Sequence, residues 1–312
     1  MPKIVLLWTD VVLYAMLLAL VWYGWRIRVN ANLRANWWKV LRDPAAFSAG
    51  IVLALFALVT LADSVHFRRA LPPPPGMPAG TQTFYATSTE SLLDALMARQ
   101  IEMRETGYSV PLAWRGLNKE PMERDGQPVR DFPRLKHGGA HLADPPTQWA
   151  GDVATRALAG AIGGLLAAAL VTLAAAALIR RSHDGVTGAL RDIVADRTDL
   201  PLRAALATVA VVCLIGGAMV ALMGHYHVFG TDRTGNDVLY QAMKSVRTAF
   251  VIGTLATVAT LPFAVVLGIL AGYFRGWVDE VIQYVYTTLS SVPNVLLIAA
   301  CVLMVQVFLD KN

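Results

Sequence analysis

The densest run of chemically capable side chains extends from His227 to Leu239, reading His-Val-Phe-Gly-Thr-Asp-Arg-Thr-Gly-Asn-Asp-Val-Leu. Gly230 and Gly235 bracket Thr231 and Asp232, the composition of a tight polar turn. Asp237 then stands where a helix start favours a carboxylate. The helix expected to follow runs through Lys244 and Arg247 and enters an apolar stretch at about Ala249. A polar turn feeding such an interfacial helix suits a gate or a docking element, and a plain connecting loop would have the same composition. A second group, His137 and His141 in His-Gly-Gly-Ala-His, has the four-residue spacing of two metal ligands on a helix. Two intervening glycines oppose a helix and no third ligand is near, so a solvated loop is the expectation. Covalent chemistry finds no support. The chain has no Gly-rich loop ending in Gly-Lys-Ser/Thr to cradle phosphate, no His-Glu-x-x-His and no Gly-x-Ser-x-Gly. No catalytic, cofactor-binding or metal-binding residue is therefore assigned.

The elements that must position these residues are membrane spans. Of 312 residues, 55% are hydrophobic and 16% charged, where soluble domains carry about 25% charged residues. The apolar residues gather into six runs near the length of about 20 residues that crosses a bilayer: 4–25, 45–62, 157–179, 204–223, 248–273 and 281–309. The first run is too long, with too small a basic leader, for a cleaved signal peptide. Asp10 within it is expected to reach the headgroups. Cys213 and Cys301 lie inside apolar runs and read as small buried hydrophobes. The net charge of +5 fits basic residues retained on the cytoplasmic side better than nucleic-acid binding.

Two basic loops, 26–43 and 180–203, are separated by two spans and can be cytoplasmic together. Both termini, residues 63–152 and residues 224–247 then lie outside. Residues 63–152 hold most of the prolines, including Pro72 to Pro75, expected to extend as polyproline. Thr87 and Glu90 stand at capping-box spacing ahead of Leu92, Leu93, Leu96 and Ile101, which predicts an amphipathic helix. Asp125-Gly126 predicts a turn. Gly160 and Gly164 form a Gly-x-x-x-Gly that predicts close packing of this span on another.

The run from His227 to Asp237 resembles the His-Pro-Leu-Gly-Thr-Asp-x-x-Gly-Arg-Asp signature of dipeptide, oligopeptide and nickel ABC importer permeases. Downstream, Gly268-Ile269-Leu270-Ala271-Gly272-Tyr273-Phe274-Arg275-Gly276-Trp277-Val278-Asp279 is similar to that family's Gly-x-x-Ala-Gly-Tyr-Phe-Gly-Gly-Trp-x-Asp, and Ser291-Val292-Pro293 stands in place of its Phe-Pro. Val228, Asn236 and Arg275 depart from the pattern and bear on substrate class. Hydropathy and composition give an all-α integral membrane protein with about six transmembrane helices and a small external mixed domain. The resemblance implies part of a type I importer fold, from which the first 200 residues depart by adding three spans and that external domain to the usual single leading span. It places Gly230, Thr231, Asp232, Gly235 and Asp237 at an outer gate, Gly272 and Asp279 at an inner turn, and the outer motif outside.

The implied organisation is two N-terminal spans (1–62), an external periplasmic domain (63–152), a third span with a cytoplasmic loop (153–201) and the start of the permease core (202–312). The implied partners are a second permease subunit, cytoplasmic ATP-binding subunits, an external substrate-binding protein and the lipid bilayer, with no nucleic acid. The implied location is the bacterial inner membrane. Nothing before Asn312 matches the family's Glu-Ala-Ala coupling loop, so a truncated product or N-terminal half is expected, without transport by itself. A competing reading is a membrane-anchored binding or scaffold protein that acts through residues 63–152. A secondary transporter is disfavoured, because the later spans offer only Pro262 and Pro293 as possible breaks.

Overall fold

The computed structural model describes residues 3–71, 84–124, 127–180 and 185–311. Six of its helices are long and apolar enough to cross a membrane, and the protein is an all-α multi-pass membrane protein with small sheets. The chain divides into two compact units, Met1–Val251 and Ile252–Asn312.

The first unit opens with strand β1 (Lys3–Val5), followed by α1 (Trp8–Val29). The first span thus begins later than residue 4, because β1 spends its backbone groups on strand β2 (His66–Arg68), with Ile4 opposite Phe67. Helix α2 (Ala31–Arg42) turns the chain into α3 (Pro44–Ser64). Asp43 caps α3 by accepting from the Ala45 amide, and Pro44 fills the first turn, where its missing N–H costs nothing. β2 also pairs with β5 (Glu90–Ser91), and β3 (Ala70–Leu71) pairs with β4 (Phe84–Tyr85).

The cap expected at Thr87 and Glu90 forms four residues later, at Ser91 and Asp94. Glu90 and Ser91 are held in β5, so Ser91 becomes the N-cap of α4 (Leu92–Leu96), its hydroxyl accepting from the Asp94 amide while Asp94 accepts from the Ser91 amide. The helix breaks at Met97 and resumes as the short α5 (Ala98–Glu102). A hairpin of β6 (Glu120–Arg124) and β7 (Gln127–Asp131) follows. The expected Asp125-Gly126 turn and the Pro72–Pro75 run lie outside the described residues.

Helix α6 (Pro145–Ile179) has 35 residues, about 52 Å at 1.5 Å per residue, and so projects well beyond a hydrocarbon layer of about 30 Å. After α7 (Gly185–Val194) comes α8 (Leu202–Met223). The predicted small-residue contact joins α6 to α8. A Cβ at Gly160 would lie 2.3 Å from the Gly217 carbonyl oxygen, and one at Gly164 only 1.9 Å from that of Cys213. Without side chains there, the two backbones touch, which is how helices gain dispersion energy where lipid is as apolar as leucine.

Two clusters close the ends of this pair. At one, Ala176, Ala189 and Ile193 are buried with Leu202 and Leu206 against them. At the other, Leu93, Met97, Leu142, Leu222, Tyr226, Val228 and Leu239 form a core that draws on both the 63–152 segment and the loop after α8. Asp10 corrects its expectation: it is fully buried, bonded to the His66 ring at 2.9 Å and to the Arg247 guanidinium. A carboxylate with two cationic or ring partners on the chain has no need of the headgroups.

Helix α9 (Val238–Phe274) enters the second unit and continues through Pro262. There the expected 281–309 span is divided. α10 (Trp277–Ser291) stops at Val292, and α11 (Asn294–Lys311) is the span-length helix. Pro293 is the cause, because it disfavours the helical conformation of the residue before it and lacks an amide hydrogen.

Candidate functional site

The loop from 224 to 237 follows α8 and ends at α9. Its conformation is set by its own side chains and by an outside clasp. Asp232 organises the turn: Oδ1 accepts from the amides of Thr234 (2.8 Å) and Asn236 (2.9 Å) and from the Thr234 hydroxyl, while Oδ2 accepts from the side chains of Gln241 and Asn236. Burial alone would raise its pKa, but these donors hold it below the ordinary carboxylate range. Asp237 caps α9 through the Tyr240 amide at 3.0 Å.

The clasp comes from residues 103–142. The Glu105 carboxylate accepts from three consecutive amides, Lys136 at 2.7 Å, His137 at 2.8 Å and Gly138 at 3.0 Å. It also faces His227 Nε2 at 3.4 Å, while His227 Nδ1 lies 2.8 Å from Asp237. All three side chains are nearly without solvent contact: 1% exposed for Glu105, 0% for His227 and 2% for Asp237. Burial opposes ionisation of both Glu105 and His227. Bonds to His227 and to the three amides nonetheless lower Glu105 to about 2, and the two carboxylates raise His227 to about 9. His227 is therefore an imidazolium held between two carboxylates at neutral pH.

Thr231 is buried, its hydroxyl donating to the Gly107 carbonyl (2.7 Å) and approaching the Ser109 hydroxyl (3.0 Å). The Glu105 amide donates to the Gly235 carbonyl at 2.9 Å. Gly230 and Gly235 have φ of +77° and +80°, and a Cβ would fall 2.3 Å from the Ser109 carbonyl oxygen and 1.9 Å from that of Glu105. Both the left-handed backbone and the close approach require glycine.

The five predicted outer residues thus come together in one loop, and all except Asp232 are closed off from solvent or engaged with the segment preceding α6. A second set of bonds fixes the start of α9. Lys244 lies 2.8 Å from Asp94 and 3.8 Å from Asp63, the Tyr240 hydroxyl donates to Asp94 (2.7 Å), and Arg247 reaches Asp10. Burial would raise Asp94, yet its bonds to Lys244, Ser91 and Tyr240 lower it.

Glu105 carries most of the clasp and lies outside every motif in the sequence. The one signal that points toward it is indirect: a histidine buried beside Asp237 has a second ring nitrogen that needs a partner from elsewhere in the chain. Asp232→Ala is expected to leave membrane insertion intact but to free the 232–236 turn, at a cost of about 1–2 kcal/mol. Faster amide exchange at Thr234 and Asn236 is the measurement, and unchanged exchange would refute it.

In the second unit, Gly272 lies inside α9 with nothing within 4 Å of its would-be Cβ, and the chain turns at Arg275 and Gly276, with φ of +50° and +57°. Asp279 stands in the first turn of α10 and accepts from the Gln283 side chain at 3.0 Å. His137 and His141 occupy a loop whose amides serve Glu105, with Gly138 and Gly139 buried but Lys136, Ala140 and His141 exposed. His141 bonds Asp152 at 2.8 Å. Among the described residues, no group of three His, Cys, Asp or Glu is placed to hold a metal.

Known proteins match part of the chain. It is 33% identical over 82 residues to the oligopeptide transport system permease protein OppC of Mycobacterium tuberculosis, covering 26% of this chain and 28% of that protein. It is 33% identical over 76 residues to the dipeptide transport system permease protein DppC of Alkalihalophilus pseudofirmus, covering 24% and 25%. It is 30% identical over 76 residues to the glutathione transport system permease protein GsiD of Pectobacterium atrosepticum, with the same coverage. No family model and no solved structure matches. The chain therefore spans about a quarter of the length of these curated relatives, and over that quarter it is similar to the permease proteins of ABC peptide importers.

Proposed function

We propose that the chain is the permease subunit, or its N-terminal part, of a binding-protein-dependent importer for peptides or a similar small solute in the bacterial inner membrane. In this reading it lines part of the translocation path and separate subunits hydrolyse ATP. The observation that carries the reading is the partial match to oligopeptide, dipeptide and glutathione permease proteins, on a chain with six span-length apolar helices. Gly230, Thr231, Asp232, Gly235 and Asp237 would shape the outer gate, with Gly272 and Asp279 at the inner turn. The bonding of Glu105 to His227 supports a joint role for the 63–152 segment and the motif loop, rather than an independent scaffold.

The proposed sidedness has support in the first unit. β1 pairs with β2, and residues 103–142 bond the 224–237 loop, so these segments share one membrane face. Arg42 lies 3.9 Å from Asp199, joining the two basic loops. Impermeant amine labelling should reach Lys311 from outside only, and labelling from the cytoplasmic face alone would invert the topology.

Purification of the native protein from its source membrane tests the function. It should bring with it a second permease and ATP-binding subunits, and the reconstituted complex should take up labelled dipeptide when binding protein and ATP are supplied. Stable isolation without ATPase, and no uptake, would overturn the reading.

A further inference from the structure

A cavity of about 430 Å³ lies beside the clasp, where α5 meets the end of α8. It is within the size range of small-molecule sites, roughly 300–1,000 Å³. Arg99, Glu102, His137, His141, Gly224 and His225 contribute to its wall. α5 is fixed there by Gln100, whose side-chain amide donates to the Met223 carbonyl at 2.9 Å. Gly224 leaves room for the Arg99 guanidinium, since a Cβ would meet Nη1 at 2.8 Å.

On this wall Arg99 and Glu102 are exposed and His137 is half-buried, while His141 is engaged with Asp152. Among the described residues, the side chains of Arg99, Glu102 and His137 make no hydrogen bond or ion pair. His225 adds a further unmet donor. Arg156, which can only donate, reaches its Nε2 at 3.1 Å, so a neutral ring carries its proton on Nδ1. That atom is buried and has no partner, an exception that calls for an explanation. Burial first, then Arg156, His141 and Arg99, lower the His225 pKa, against an opposing pull from Asp152. Arg99 and Glu102 are three residues apart on α5 and so share one face, with Cβ atoms about 5–6 Å apart.

We propose that this cavity binds a small zwitterion, an amino acid or a dipeptide, with Arg99 receiving the carboxylate and Glu102 the ammonium. A bare oxyanion such as phosphate would satisfy Arg99 but leave Glu102 unpaired and repelled. The site would hold the cargo beside the motif loop on the outer face. The proposal rests on the peptide-importer reading for the source of its ligand.

Calorimetry on the full chain in nanodiscs tests it with four probes: alanyl-alanine, its C-terminal amide, its N-acetyl derivative and inorganic phosphate. Alanyl-alanine should bind, and the amide and the N-acetyl form should each bind about tenfold or more weakly, the scale of one missing charge-assisted bond. Arg99→Gln should lose binding to a similar degree, and Glu102→Gln should weaken alanyl-alanine but not its N-acetyl form. Equal binding of the amide, phosphate binding as tight as the dipeptide, or no binding at all overturns the proposal. The ligand series uses the unmodified protein, so a variant that fails to fold does not blunt it. Uptake by the whole complex separates the two readings. Uptake without dipeptide binding to the chain removes the cavity alone, and binding without uptake removes the transport reading alone.

Discussion

Glu105→Ala is expected to destabilise the outer half of the first unit by about 3–5 kcal/mol, the usual cost of deleting one partner of a buried ion pair. The change strips the shared acceptor from the amides of Lys136, His137 and Gly138 and one of the two counter-charges from His227. His227 and Gly138 are buried, so water does not readily substitute there. Hydrogen exchange should accelerate at residues 136–138 and across 225–237 together, because one carboxylate ties both segments. Glu105→Gln keeps an acceptor oxygen and the shape, so its loss should be smaller. Exchange unchanged in either segment would show that the clasp does not hold them.

The same group sets a pH dependence with a definite sign. His227 is raised from 6.5 to about 9, so its contribution is full below pH 6.5 and is lost as pH rises through about 9. Glu105 is lowered from 4.5 to about 2, so its contribution is full above pH 4.5 and is lost as pH falls through about 2. Thermal stability of the outer half should therefore be greatest between about pH 4.5 and 6.5. It should decline toward pH 9, and His227→Gln should abolish that alkaline decline.

Gly164→Val should be as severe by a different route. Its first added atom would sit 1.9 Å from the Cys213 carbonyl oxygen, and that neighbour is helix backbone, not a side-chain tip that can swing away. α6 and α8 would have to separate along their length, at a cost on the order of 3 kcal/mol, and the close approach of Gly160 to Gly217 would open with them. The protein should accumulate poorly in the membrane and unfold at a lower temperature in detergent. Gly163→Val offers the control, since nothing lies within 4 Å of that position. Equal behaviour of the two variants would refute the packing argument.

The spans were legible because hydropathy over about 20 residues reports a bulk property, and the β1–β2 pairing shifted only the start of the first one. The Gly-x-x-x-Gly packing was legible for a related reason: small residues mark where backbones meet in lipid. The turn at Gly230 to Asp237 was readable from its glycines and carboxylates, which act within four residues of one another. What the sequence concealed were pairings across long separations. Asp10 looked like an interfacial carboxylate because Arg247 and His66 lie 237 and 56 residues away. Glu105 carries no periodic cue, and His227 had a motif position but no visible partner. Ser91 displaced Thr87 as a cap because strand pairing, a tertiary event, consumed Glu90. Pro293 was readable as a break, but its length consequence, a span beginning at Asn294 rather than 281, followed only from the helix ending at Ser291.

The clasp between Glu105 and His227 spans 122 residues of chain, and this sets an order of events during synthesis. At roughly 5–20 residues per second, about 6–24 s separate the appearance of the two side chains. Once residues 136–142 have been made, the Glu105 carboxylate has its amide donors at 136–138 but no imidazolium, and the apolar faces of Leu93, Met97 and Leu142 have no Tyr226, Val228 or Leu239 to cover them. The segment before α6 is thus a waiting partner, finished only when the last turn before α9 arrives. A folding factor that acts on this protein would find its substrate in those seconds, and a ribosome paused after α8 would lengthen its exposure.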